Sequence, residues 1–145
     1  MADLEKKLTY SGAKAHQRGD IENRILPYSL WHRTLDRSLL MLDVDFIEWR
    51  FRDGDPVPVG VMEVTRVDSG KDVNENYLNS ILQRYDIRDL QGKVARKVAE
   101  ALRTRAYIVL FRENCSEFWV YDLTCNRGWI HFDPKEMEAF LKRLK

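Results

Sequence analysis

Two acidic residues stand in surroundings that give a charge no ordinary use. Asp45 falls in the alternating stretch Leu42-Asp43-Val44-Asp45-Phe46, and Glu63 in the apolar run Val61-Met62-Glu63-Val64. A charge in such a place costs free energy unless it is paired or holds a cation. Two carboxylates on adjacent strands can share a hard divalent ion through their oxygens, which suits Mg²⁺ or Mn²⁺. A metal held there activates water and stabilises the charge that develops on a phosphorus centre under attack. Asp43 lies two residues before Asp45 and shares its strand face. It is either a further metal ligand or a solvated residue at the strand start. Glu48 points to the opposite face, where a surface role is expected.

These acids need elements to position them. Residues 42–52 alternate as a strand, Asp53-Gly54-Asp55-Pro56 is a turn signal, and Pro58 to Thr65 reads as a second strand, so a β-hairpin is predicted. Before it, residues 28–40 have apolar residues near helical spacing, with Pro27 and Ser29 suited to a helix start. Residues 1–24 are polar and basic and read as an arm or a weakly formed helix, followed by one domain over residues 25–145. After the hairpin, Tyr77 to Tyr85 looks helical. A longer helix is expected from Leu90 to Arg103, capped by Asp89. Tyr107 to Phe111 is a continuous apolar run, as in a buried strand. Phe118 to Leu123 and Trp129 to Phe132 follow as strands, and Pro134 opens a last helix. The fold class is α/β: a mixed sheet flanked by helices.

Asp45-Phe46-Ile47-Glu48, a turn, and then Gly60-Val61-Met62-Glu63-Val64-Thr65 resembles the core of the PD-(D/E)XK nucleases. The resemblance implies a restriction-endonuclease-like core of helix, three strands, helix and strand over residues 28 to 111. It implies a Mg²⁺- or Mn²⁺-dependent endonuclease that hydrolyses DNA, with RNA left open as substrate. Asp45 and Glu63 would be the catalytic and metal-binding acids. Chains this short in that family work with a homodimer or protein partner, are often structure-selective, and are common in phage and mobile elements. One position departs from the pattern: the family has lysine two residues after the second acid, and this chain has Thr65. Lys93 or Lys97 on the following helix would then supply the cation, or Arg66 would, although its side chain falls on the other strand face. Otherwise the site is inactive and the fold is kept for binding nucleic acid or a protein.

Further residues admit two readings each. His32 is a metal ligand or general base, or packs beside Trp31. Arg33, Arg66, Lys93, Arg96 and Lys97 would contact phosphates, or form solvated faces, with Glu100 pairing Arg96 across one helical turn. Gln83 and Gln91 resemble a glutamine that some relatives use after the second strand, or are exposed helix residues. The aromatics Phe118, Trp119, Tyr121, Trp129 and Phe132 are expected in the core, with a patch left for a partner subunit.

Composition narrows the classes. Of 145 residues, 44% are hydrophobic and 32% charged, which excludes a disordered chain. No apolar run approaches the ~20 residues of a membrane span, and the first residues carry no secretory pattern. Two cysteines in a chain of this length do not make a disulfide scaffold, so a reducing, cytoplasmic setting is expected. Cys115 and Cys125 lack zinc-site spacing with His131 and read as buried thiols on a hairpin. A net charge of +1 means that any basic surface is local.

Overall fold

A computed structural model describes residues 18–145, with side chains from residue 24 onward. The chain divides into two units, Met1–Met41 and Leu42–Lys145. Most of the expected basic arm over residues 1–24 lies outside the described residues.

In the first unit, helix α1 spans Arg18–His32 and has Pro27 inside it. The helix expected over 28–40 is therefore shifted toward the N-terminus. It stops at His32 because polar side chains take over the backbone bonds beyond it. The Thr34 hydroxyl donates to the Trp31 carbonyl at 2.6 Å, and the Asp36 carboxylate accepts from the Ser38 N–H at 2.8 Å. Tyr28, not Trp31, is the ring beside His32, at 6.2 Å between centroids.

The second unit carries a five-stranded sheet in the order β1-β2-β3-β4-β5, flanked by helices. Strands β1 (Phe46–Arg52) and β2 (Asp55–Arg66) form the expected hairpin. Asp53 and Gly54, both at positive φ (51° and 85°), close it as a two-residue type I′ turn requires. Asp43 and Asp45 precede β1 rather than lying within it. The pairing steps from Glu48–Gly60 to Trp49–Pro58, which leaves Val59 as a β-bulge. Val57 and Val59 pack on one sheet face with Met62 and Val64, while Val61 packs on the other. The bulge thus resets the alternation and turns Val61, Glu63 and Thr65 to the face opposite Met62.

The crossover from β2 to the parallel strand β3 (Ala106–Phe111) runs through α2 (Glu75–Gln83), a π-helical turn (Arg84–Arg88) and α3 (Gln91–Ala101). Asn74 caps α2 by accepting the Tyr77 N–H at 2.9 Å. Asp89 does not cap α3, which starts from Leu90 without a side-chain cap. The π turn ends at Asp89, whose carboxylate lies 3.6 Å from both Arg84 and Arg88. Strands β4 (Phe118–Asp122) and β5 (Trp129–Phe132) add antiparallel neighbours. Helix α4 (Pro134–Arg143) carries a complete Asp133/Glu136 capping box. It covers the Met62, Val109 and Phe132 face, while α2 and α3 cover the Ile108, Leu110 and Tyr121 face. Cys115 is exposed and Cys125 half-buried, so the expectation of two buried thiols fails: both lie in turns that extend beyond the sheet. Among the described residues no helix is long and apolar enough to cross a membrane.

Gly92 sets how closely α3 approaches the π turn. A Cβ on Gly92 would overlap the Tyr85 carbonyl oxygen, which is backbone and cannot swing aside. Gly92→Ala is expected to cost about 2–3 kcal/mol of stability by overpacking. The check is a lower urea midpoint with unchanged slope.

Candidate functional site

Glu63 is the second unit's buried charge problem. It is 1% exposed, at a position of β2 paired with Ile108 of β3. Its Oε1 has no hydrogen-bond partner. Asp45 stands beside it. The Asp45 Oδ2 accepts the Val64 N–H at 2.9 Å, so the acid before β1 is tied to the residue directly after Glu63. Burial, then the neighbouring Asp45 carboxylate and, least, Asp43 together push the Glu63 carboxyl up to about 8. The Asp45 backbone N–H opposes that shift only in part. At neutral pH, with no cation present, Glu63 keeps its proton and Asp45 is the acceptor within reach.

The same pocket holds a residue that sequence reading passed over. Tyr85, 3% exposed, lies on the π turn. Burial raises its hydroxyl pKa; the Arg84 charge and the Thr65 side chain hold it down, and Asp45 and Glu63 raise it. Thr65, Tyr85, Glu63 and Asp45 therefore form one group. The Arg84 guanidinium sits 5.5 Å from the Tyr85 ring centroid. The available signal was an aromatic set among polar residues, Gln83-Arg84-Tyr85-Asp86, but a π turn has no pattern that predicts where its side chains point.

The expected cations are elsewhere. Helix α3 turns Gly92, Ala95 and Ala99 inward, which puts Lys93 and Lys97 on its exposed side. Neither is among the groups that shift Glu63. Arg96 does not pair with Glu100. It donates to the Leu123 carbonyl at 2.9 Å and forms an ion pair with Asp86. Arg66 is exposed and faces Glu113 at 3.8 Å. Gln91 is the half-buried first residue of α3, and Gln83 is exposed. Glu48 pairs with Arg50 at 2.9 Å, whose guanidinium also reaches the Leu141 carbonyl on the α4 face. His32 and Arg33 belong to the first unit. His131 stacks on Trp119 at 4.9 Å and approaches Glu117 at 3.4 Å.

Among the described residues no three His, Cys, Asp or Glu side chains gather as ligands of one ion. An ion at this site would rest on the two carboxylates and its own waters, a mode that suits Mg²⁺. The orphaned Glu63 oxygen and the paired hard donors fit such an ion. No protein-family model, curated protein or solved structure matches the chain.

The pH dependence of stability follows from Glu63. Its carboxyl holds a proton to about pH 8 when folded, against 4.5 for an ordinary glutamate. The folded state then binds more protons through that window, so stability is greatest below the lower value and falls as pH rises toward the upper one. Urea midpoints measured without divalent ions should decline across this range in the wild type. In Glu63→Gln the decline should be largely absent.

Proposed function

We propose that the chain is a metal-dependent nuclease of the PD-(D/E)XK type that hydrolyses DNA phosphodiester bonds, with Asp45 and Glu63 as the ligands of Mg²⁺ or Mn²⁺. The observation that carries the reading is the Glu63 oxygen: buried, without a hydrogen-bond partner, and beside a second carboxylate. A cation there would replace the proton that Glu63 otherwise keeps and offset the repulsion between the two acids. A hairpin followed by a helical crossover into a parallel strand supports a restriction-endonuclease-like core. That core has three strands before its helix, and among the described residues two precede it here.

When bound, the divalent ion would supply an acidified water and a counter-charge for the attacked phosphate. The Asp45 Oδ2 accepts from the Val64 N–H, which orients the carboxylate that would hold the ion together with Glu63. Asp43, exposed and electrostatically coupled to Glu63, is the outer acid. Lys93 and Lys97 on the outer side of α3 are candidates for phosphate contacts, as are Arg33 and Arg66, whereas Arg96 is tied to Asp86. One observation favours a second reading. Two neutral groups, Thr65 and Tyr85, stand together where the family's lysine would act. The alternative is a catalytically inactive nuclease fold that binds nucleic acid or a protein partner.

Supercoiled and branched DNA incubated with the protein and Mg²⁺ or Mn²⁺ should be cut, and Asp45→Asn and Glu63→Gln should each slow cutting at least about a hundredfold. Either ion should also raise the melting temperature at pH 8 in the wild type and not in Glu63→Gln, since a ligand of the folded state stabilises it. DNA that is bound but never cut with either ion would overturn the first reading in favour of the second.

A further inference from the structure

On the sheet face away from Glu63, a cavity of about 570 Å³ opens where the α3–β3 connection meets the last turn of α4. Arg103, Arg105, Arg143 and Lys145 line it, with Thr104 and Thr124. Its apolar wall includes Tyr107 and Phe140, packed edge to face at 5.3 Å. No Asp or Glu side chain lines it. Asp122 holds the Arg105 guanidinium at 3.1 Å and so fixes its direction. Arg103, Arg143 and Lys145 have no ion-pair partner among the described residues. Cations gathered around one hollow repel each other, and an anion with several oxygens relieves that repulsion.

Arg103 adds a second, independent sign. It follows the end of α3 at φ 57°, in the position where glycine is the usual residue. The Thr104 N–H donates to the Ala99 carbonyl at 2.8 Å, and the Arg103 N–H to the Glu100 carbonyl at 3.1 Å, which together form the Schellman pattern. An arginine in the left-handed region is strained relative to glycine, and such strain gathers where a side chain has work to do. Here the bend aims the chain so that Arg103, Thr104 and Arg105 all border the cavity.

We propose that this cavity binds a ligand carrying two or more phosphates, at a site separate from Asp45 and Glu63. Guanidinium groups match phosphate oxygens in pairs, hydroxyls add donors, and the volume exceeds that of a single phosphate. The shared chemistry is a run of phosphates, supplied by a free oligophosphate such as a nucleotide or by consecutive phosphates of a nucleic-acid strand. The proposal does not depend on the nuclease reading.

The test is titration of the full chain, at low salt and without divalent ions, with inorganic pyrophosphate and separately with a short single-stranded oligothymidylate. Arg103→Gly, Arg143→Ala and the distant Lys135→Ala are titrated alongside. At least one probe should bind, and Arg103→Gly and Arg143→Ala should each weaken it about tenfold, the loss expected for one charge-assisted contact. Lys135→Ala should leave it unchanged. Arg103→Gly should melt at the same temperature as the wild type or higher, because glycine relieves the left-handed turn. Binding of pyrophosphate assigns a free oligophosphate; binding of the oligonucleotide alone assigns a strand. The proposal is overturned if neither probe binds, if binding survives both arginine substitutions, if Lys135→Ala weakens it equally, or if Arg103→Gly loses binding only by losing its fold.

Discussion

A carboxyl group cannot sit in the middle of a sheet without something to take up its charge, and the arrangement around Glu63 follows from that constraint. The Val59 bulge turns Glu63 onto the face covered by α2 and α3, where it is 1% exposed. The bond from the Val64 N–H fixes Asp45 at its side, and this second carboxylate makes ionisation harder. The helices over that face contribute small residues, Gly92, Ala95 and Ala99, so the backbone packs close and long side chains stay outside. The close packing that buries Glu63 therefore also keeps Lys93 and Lys97 away from it. What remains is a proton or a cation between two acids.

The Thr65–Tyr85 pair has the same origin. A lysine two residues after Glu63 would share its face and bring a charge to neutralise. Threonine brings a short polar group instead, and the space beyond it is filled by Tyr85 from the π turn. Tyrosine is tolerated in a closed pocket because its ring supplies apolar area while its hydroxyl finds a polar neighbour. Burial is the first cause of the raised pKa of both Glu63 and Tyr85, and for Tyr85 the Arg84 charge offsets part of it.

Much of this was legible in the chain. The Asp53-Gly54 turn, the apolar run of β3 and the Asp133-Pro134 helix start each carry their conformation in a few adjacent residues, and each forms where expected. The acidic pair was legible for a similar reason: a charge inside an apolar run is visible without knowing the fold. The features that failed to show depend on distant partners. Helix α1 ends where Thr34 and Asp36 capture the backbone, a competition that apolar spacing does not register. The bulge at Val59 exists only relative to Glu48 and Trp49. Arg96 pairs with Asp86 and Leu123 because the π turn brings Asp86 to it, where local spacing offered Glu100.

The net charge of +1 conceals how charge is divided across the sheet. Asp43, Asp45 and Glu63 gather toward the face covered by α2 and α3, while Arg103, Arg105 and Arg143 gather around the cavity on the face covered by α4. Between them lies β3, whose Ala106 to Leu110 are all buried. A low-dielectric layer of that kind screens poorly, yet it keeps the two sets from pairing directly, because no side chain can cross a closed sheet. Each set then answers to solvent or to a ligand of opposite sign. A near-neutral chain can in this way keep its acids and its cations on opposite faces, and the strand at the centre of the sheet that separates them, β3, is the one most plainly set by its own apolar run.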